Sequence, residues 1–206
     1  TYFMRSFFNF FWLFCGVGLC HAPPAPPAPA PALFLLSEPA GMQWLRGWGG
    51  AALPVSCSDG PTHIDPERGL ATGFSRTPQG AALAALDAVG RALAAPEGAW
   101  QLVVSERFYG GGPELVSRFA RARTTPDAAR YVVVPEGVRV QPGYRDDLAV
   151  VQIASRARDG YAIGSWPMAW TDGDWRVRVP DQIETLWGPA TPVSTLSEFG
   201  LWKGTR

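Results

Sequence analysis

The chain has 206 residues, of which 47% are hydrophobic and 12% aromatic, enough for one ordinary domain with a core and for terminal extensions. Lys and Arg together number 18, as do Asp and Glu, so the formal net charge is zero. Proteins that bind nucleic acids usually carry a basic excess that neutralises phosphates. We therefore expect no nucleic acid as the main ligand, and we interpret Arg118, Arg121 and Arg123 as a solvated helix face.

Cysteines and histidines limit the chemistry further. Cys15 and Cys20 lie in an apolar N-terminal segment and Cys57 stands alone in the rest of the chain, which excludes a disulfide framework and a CxxC zinc motif. The only histidines are His21 and His63. A catalytic triad built on histidine and a multi-histidine metal site are therefore excluded from the domain.

The first 52 residues have the composition of a targeting segment and a spacer. Arg5 precedes an apolar run at 7–20 that is shorter than the ~20 residues of a spanning helix and fits the core of a signal peptide, so we assign residues 1–22 to a signal or membrane-anchor segment. The alternative is a mis-started N-terminus on a cytosolic protein. Residues 23–52 contain a proline-alanine tract, expected to form an extended spacer, followed by a linker. A single anchor or a cleaved signal places the rest of the chain at the cell membrane or outside the cytoplasm.

Two helices are predicted in the first half of the remaining chain. Thr77 is a natural N-cap, Pro78 suits the first helical position, and an alanine-rich run follows at 81–95. Residues at three- to four-residue spacing give this helix one apolar stripe: Leu83, Leu86, Val89 or Gly90, and Leu93. A second, short helix is predicted over 114–123, with Leu115 and Phe119 facing inward.

An antiparallel meander is predicted in the second half. Its strands are residues 148–156, 161–170 and 174–180. In the third strand Trp175, Val177 and Val179 alternate with Arg176 and Arg178, which is typical of a sheet with one buried face and one wetter face. Asp172-Gly173 between the last two strands predicts a two-residue turn of type I′.

Helices that precede such a meander predict an α+β domain over residues 53–206. With short strands added at 131–134 and 138–140, we expect a curved antiparallel sheet of three to five strands packed on one long and one or two short helices, as in a cystatin-like or NTF2-like cone. Residues 195–198 match a helix capping box. Three aromatic side chains either cover the open end of the sheet or form a surface for a partner: Trp187, Phe199 and Trp202.

Four short segments together carry a family resemblance: residues 53–56, 59–62, 73–81 and 170–175. In this order and spacing they resemble an uncharacterised family of actinobacterial proteins with one N-terminal membrane segment and a small α+β domain, often associated with integrative conjugative elements or phages. The similarity covers roughly Leu53 to Trp202. It implies no known enzymatic activity, so no catalytic residue is carried over from it.

The sequence offers one acidic cluster that contains a histidine: Asp59, His63, Asp65 and Glu67. Carboxylates and an imidazole can bind a divalent cation, but the neighbouring prolines and glycines favour a solvated loop. Other candidates for chemistry are equally weak. Ser56 and Cys57 have no base nearby in sequence, the glycines at 110–112 lack the lysine of a phosphate loop, and Asp172 and Asp174 are explained by the turn. We therefore expect no catalytic residue, metal or cofactor.

Two classes of function are compatible with these features. The first is a non-enzymatic accessory or assembly protein, tethered or exported, that binds protein partners or itself and belongs, for example, to a conjugative transfer machinery. The second is a small-ligand-binding or enzymatic domain that uses a pocket inside the curved sheet. A filled cone with an exposed apolar patch favours the first class, and an open pocket with an inward-facing acid or histidine favours the second.

Overall fold

The computed structural model describes residues 36–188 and 190–204. The expected signal or anchor segment at 1–22 and the proline-alanine tract lie outside the described residues. Within the described part of the chain, no helix combines the length and the apolar character that crossing a membrane requires. The described residues form a mixed α+β domain, as predicted.

Three α-helices follow one another between residues 78 and 122: α1 is Pro78–Ala94, α2 is Ala99–Arg107 and α3 is Gly112–Ala122. The predicted start of α1 is confirmed, because the Thr77 hydroxyl accepts a hydrogen bond from the Gly80 N–H at 3.0 Å and Pro78 opens the helix. Helix α3 also confirms its prediction, with Leu115 and Phe119 buried. Helix α2 was not predicted; its start is held by Gln101, whose side-chain oxygen accepts from the Gly98 N–H at 2.7 Å.

Helix α1 is buried on every side, which the prediction of a single apolar stripe did not anticipate. All residues from Gly80 to Leu93 are buried, including those on the faces between the leucines. Alanine and glycine make up most of the sequence of α1, and their small size allows neighbouring elements to approach the helix axis from all directions. The rest of the domain is therefore packed around α1.

The largest layer around α1 is a partly curled sheet of six strands. These are β5 (Phe108–Tyr109), β6 (Gly137–Val140), β7 (Leu148–Ala157), β8 (Gly160–Thr171), β9 (Asp174–Arg178) and β10 (Thr191–Val193). The order is β5-β9-β8-β7-β6, and β10 pairs with the first residues of β8. The three predicted strands of the meander are confirmed as β7, β8 and β9. The short strand β5 pairs with β9 in parallel, so that the sheet is larger than the predicted three to five strands and is not purely antiparallel.

The hairpin between β8 and β9 has the predicted turn and the predicted alternation. Both central residues of the turn have positive φ, 51° at Asp172 and 79° at Gly173, as a type I′ turn requires. Trp175 and Val177 are fully buried, whereas Arg176 is half-buried. The predicted register of this strand is therefore confirmed.

Large side chains fill the space between the inner face of the sheet and the helices. Trp166, Met168 and Trp175 are each at most 1% exposed and belong to one continuous core with the α1 side chains. At the ends of the sheet, Phe199 and Trp202 are buried and Trp187 is half-buried. Trp187 and Trp202 therefore cover the main core, which was the first of the two interpretations drawn from the sequence, whereas Phe199 packs with Ala154 and Ile163 in a separate small cluster.

Two local predictions were wrong. Residues 131–134 do not form a strand; the segment Pro126–Tyr131 is a 3₁₀ turn instead. The capping box at 195–198 starts no helix, because the Glu198 carboxylate binds the Arg139 guanidinium on β6. In both segments tertiary contacts replace the local signal.

Residues 36–52, which belong to the expected spacer and linker, are packed into the domain. Leu36 and Met42 are buried, and the Trp202 indole N–H donates to the Leu36 carbonyl oxygen at 2.9 Å. Strand β1 (Gln43–Arg46) then pairs antiparallel with β2 (Ala52–Val55). A second small hairpin follows, formed by β3 (His63–Asp65) and β4 (Leu70–Thr72).

We predict that a fragment of residues 53–206 is at least about 3 kcal/mol less stable than one of residues 31–206, because it loses the burial of Leu36 and Met42. It also leaves β2 without its partner strand. Urea unfolding of both fragments, followed by tryptophan fluorescence, measures the difference. Equal midpoints and slopes would show that residues 31–52 contribute nothing to the fold.

We predict that Gly173→Val lowers the free energy of unfolding by about 1 kcal/mol or more, because a β-branched residue avoids positive φ. A Cβ atom on Gly173 would meet nothing within 4 Å, so the cost is conformational and not steric. Gly173→Asn is the control, since asparagine tolerates the left-handed region and should retain most of the stability. If both variants unfold at the parent's denaturant midpoint, the turn does not constrain the hairpin.

Candidate functional site

An open groove of about 380 Å³ lies between the two small hairpins and helix α1. We call it the hairpin groove. Its lining combines apolar side chains with two arginines: Leu45, Arg46, Gly47, Trp48, Leu53, Ile64, Pro66 and Arg91. The residues come from β1 and the turn after it, from β2, from β3 and from the second half of α1.

Trp48 joins the two hairpins at the groove. A Cβ atom placed on Gly69 would lie 2.3 Å from the Trp48 ring, so the indole rests directly on the backbone of the turn between β3 and β4. Gly69 also has a φ of +67°, which favours glycine on conformational grounds. The spacing of the hairpins, and hence the shape of the groove, is fixed by this contact.

The walls of the groove expose large apolar side chains. Leu45 is 42% and Ile64 is 37% exposed. Only six large hydrophobic residues of the described chain are exposed in this way, and these two line the same groove. Single exposed hydrophobic residues are normal on protein surfaces, but grouping around a concave surface is typical of binding sites.

A buried arginine also lines the groove. Helix α1 carries only two charged residues, Asp87 and Arg91, which lie four positions apart and are 1% and 7% exposed. The Arg91 Nε donates to both Asp87 carboxylate oxygens at 2.9 Å. Among the described residues, Nε makes the only hydrogen bonds of the Arg91 side chain, and Arg91 is one of the residues that line the groove. The guanidinium therefore offers unused donors to anything that binds there.

The Asp87–Arg91 pair is costly to bury. Desolvation raises the pKa of the Asp87 carboxyl, and attraction to the Arg91 guanidinium opposes that rise only in part. Replacement of buried ion pairs by apolar residues of similar size is often neutral or stabilising. Fold stability alone is therefore a weak reason for a charged pair in the middle of an apolar helix.

The groove lining has an excess of positive charge. It contains Arg46 and Arg91 and no carboxylate. Asp87, behind the lining, balances the charge of Arg91, whereas Arg46 is exposed and forms no ion pair with any described residue. The nearby turn carries Asp65, whose carboxylate accepts the backbone N–H groups of Glu67 and Arg68 at 3.1 and 2.9 Å. The groove thus suits a ligand that is apolar and anionic.

A second buried ion pair lies at the start of β9. Arg107 donates to the Asp174 carboxylate at 2.8 Å and to the Trp175 carbonyl oxygen at 2.7 Å. Asp174 also accepts three backbone N–H groups, from Gly73 at 3.0 Å, Phe74 at 3.2 Å and Trp175 at 2.8 Å. Turn chemistry alone therefore does not explain Asp174, contrary to the expectation from the sequence. Asp172, by contrast, is exposed and pairs with Arg176 at 3.0 Å.

Asp59 forms a third polar cluster close to the start of α1. Its carboxylate accepts hydrogen bonds from the hydroxyls of Ser58, Ser75 and Thr77. Burial raises the pKa of Asp59, but the three hydroxyl bonds together outweigh it and the net pKa is lowered. Through these three hydrogen bonds Asp59 holds the loop before α1 in place.

The four residues weighed as a candidate cation site do not come together. Asp59 is turned inward, whereas His63 and Glu67 are exposed on the hairpin β3–β4. The described residues contain no group of three or more histidine, cysteine or carboxylate side chains that could hold a metal ion. Cys57 is exposed, and the Ser56 hydroxyl donates to the Ala40 carbonyl oxygen at 2.9 Å.

The three arginines interpreted as a solvated face have different environments. Arg118 donates to the Glu184 carboxylate at 2.9 Å. Arg123 donates to the carbonyl oxygens of Ala92 and Ala95 at 2.7 and 2.6 Å, where it caps the C-terminus of α1. Of the three, only Arg121 has a largely exposed side chain, whereas that of Arg118 is 17% exposed, so the prediction holds for Arg121 and was wrong for Arg118 and Arg123.

Sequence reasoning missed the hairpin groove and its buried arginine. A usable signal was present, since Asp87 and Arg91 are the only charged residues of a helix that is otherwise alanine-rich and they have the spacing of an ion pair. The apolar walls had no comparable signal. Leu45, Ile64 and Arg91 are far apart in sequence and meet only in the folded chain.

A family model described as "Domain of unknown function (DUF8175)" matches residues 21–201. No curated protein matches the chain significantly, and no solved structure does.

We predict that Asp174→Asn lowers the free energy of unfolding by about 3 kcal/mol or more, because it leaves the buried Arg107 without its counter-charge. Asp172→Asn is the matched control on the same turn and should cost under about 1 kcal/mol, since the Asp172 side chain is 75% exposed. Urea unfolding of both variants gives the comparison. Equal losses would mean that the Arg107–Asp174 pair contributes no more than a surface pair.

Proposed function

The chain belongs to the DUF8175 family, and we propose that it is a non-enzymatic accessory or assembly module that binds a protein partner through the hairpin groove. One observation carries the proposal: the groove combines exposed apolar walls with a buried arginine that has unused hydrogen-bond donors. Buried anchors surrounded by apolar contacts are typical of the centre of a protein interface.

The open edges of the hairpins support a protein as the partner. Strand β1 pairs only with β2, and β3 pairs only with β4, so that β1, β3 and β4 each have an edge without a partner strand among the described residues. The outer edge of β2 is engaged, since the Ala52 N–H donates to the Val132 carbonyl oxygen at 2.8 Å. Free strand edges present backbone N–H and C=O groups that an extended peptide can pair with. A groove with such edges accommodates a chain segment more readily than a compact small molecule.

The competing function is a ligand pocket or an active site inside the curved sheet. That space is occupied, since Trp166, Met168 and Trp175 fill the region between the inner face of the sheet and α1. A ligand there would have to displace well-packed side chains, at a cost of several kcal/mol. The filled core therefore favours the partner-binding function.

We also propose that the fold is of the cystatin-like or NTF2-like type. The support is a long helix, α1, that packs on the inner face of a partly curled sheet whose central strands form an antiparallel meander. The parallel pair β5–β9 and the two small hairpins are additions to that plan.

For the location we propose that residues 1–22 export or anchor the protein and that residues 23–31 act as a spacer, which presents the domain at the cell membrane or outside the cytoplasm. The composition of the two segments supports this. The resemblance of the four short segments leads us to propose conjugative transfer machinery of actinobacteria as the setting of the partner.

The test is site-specific photocrosslinking of the full chain in its native host. We expect a crosslinker at Ile64 to capture a defined protein and a crosslinker at Tyr109, which is exposed but lies outside the groove, to capture much less of it. The capture at Ile64 should be lost when Leu45→Asp is added. Equal capture at both positions, or none at Ile64, would contradict the proposal. A small molecule that raises the melting temperature by several degrees in the absence of such capture would favour the ligand-pocket function.

A further inference from the structure

We propose that the partner contributes an extended segment in which an Asp or Glu side chain reaches Arg91 while a large apolar side chain two positions away packs between Leu45 and Ile64. This inference rests on the proposed function, since it names the chemistry of the partner at the same groove. The chain itself shows each element of the complementary surface.

The carboxylate is inferred from Arg91. The residue is only 7% exposed, and its Nε is already bound to Asp87, which fixes the plane of the guanidinium. The terminal nitrogens that remain make no hydrogen bond with the described residues, and Arg91 lines the groove. A guanidinium forms its strongest contacts with carboxylates, by two parallel hydrogen bonds. A carboxylate is therefore the group that Arg91 binds best in the hairpin groove.

The charge around the groove agrees with an anionic side chain. Asp87 balances only one of the two arginines of the lining, so Arg46 leaves one positive charge uncompensated. The guanidinium of Arg91 has already been removed from bulk water by the fold. The desolvation cost of a new ion pair therefore falls mainly on the entering carboxylate.

The apolar requirement and the spacing follow from the walls. Leu45 and Ile64 are the exposed apolar residues of the groove, and Trp48 closes it between the hairpins. In an extended peptide, side chains two positions apart point the same way. An acidic residue directed at Arg91 thus brings the residues two positions before and after it into the groove as well.

The probe is an array of acetylated and amidated heptapeptides in which threonine occupies every second position and the other positions vary over Leu, Glu, Gln and Lys. We expect the chain to bind peptides with Glu two positions from Leu, and to bind each at least about tenfold more strongly than its Gln analogue. Equal binding of the Glu and Gln peptides overturns the proposal, as does binding that requires a free C-terminal carboxylate. The proposal is also overturned if the parent chain binds no peptide of the array more strongly than the double variant Asp87→Leu with Arg91→Met does.

The charge-free variant is the double substitution Asp87→Leu with Arg91→Met, which removes both charges together so that neither is left buried and unpaired. We expect its melting temperature to stay close to that of the parent, while the preference for Glu over Gln disappears. Arg46→Ala should weaken binding of the Glu peptides several-fold. Arg68→Ala is its matched control, because Arg68 is exposed on the neighbouring turn and does not line the hairpin groove. Equal effects of Arg46→Ala and Arg68→Ala would show that the groove is not the site.

The outcomes separate this inference from the proposed function. If Ile64 captures a partner in the native host but the array shows no preference for Glu, the inference fails and the partner-binding function stands. If Ile64 captures no partner, the proposed function fails, whatever the array shows.

Discussion

The complete burial of helix α1 is the constraint on which the rest of the domain depends. One sheet can cover only one side of a helix. The other sides of α1 are covered by α2, α3 and the two small hairpins. Small residues make this possible. At Gly90, for example, a Cβ atom would already stand 3.4 Å from the Leu53 side chain on β2. Any charge on α1 must then find its counter-charge within the core, and Asp87 and Arg91 do so on the helix itself.

A second constraint positions the start of that helix. The loop at 73–77 is held from three directions, because Asp174 binds two of its N–H groups, the Trp175 indole donates to the Ser75 carbonyl oxygen at 2.9 Å, and Asp59 accepts its hydroxyls. These contacts connect β9 and the loop after β2 to the N-terminus of α1. Since Arg91 lies on the same helix, the loop also determines where the guanidinium stands relative to the two hairpins.

The sequence predicted the parts of the fold that have strong local periodicity. Strands β7 to β9 are five to twelve residues long, β9 alternates apolar and charged residues, and α1 begins with an unambiguous cap. The hairpins that form the groove have strands of only three or four residues, too short for a pattern to emerge. The segment at 36–52 looked like a linker because its contacts, such as that of Leu36 with Trp202, span most of the chain. The role of Asp174 was hidden for the same reason, since its partners Gly73 and Arg107 are distant in sequence.

The contact between Leu36 and Trp202 brings the two ends of the described domain together. The Gly204 N–H donates to the Glu38 carboxylate at 2.9 Å, and the Trp44 indole donates to the Trp202 carbonyl oxygen at 3.2 Å. A short connection could therefore join these ends, and the chain could be reopened at the exposed turn of Arg158 and Asp159 with the same contacts retained. The arrangement is thus suited to circular permutation, which would move the point of attachment of the spacer to the turn between β7 and β8 without altering the packing around α1.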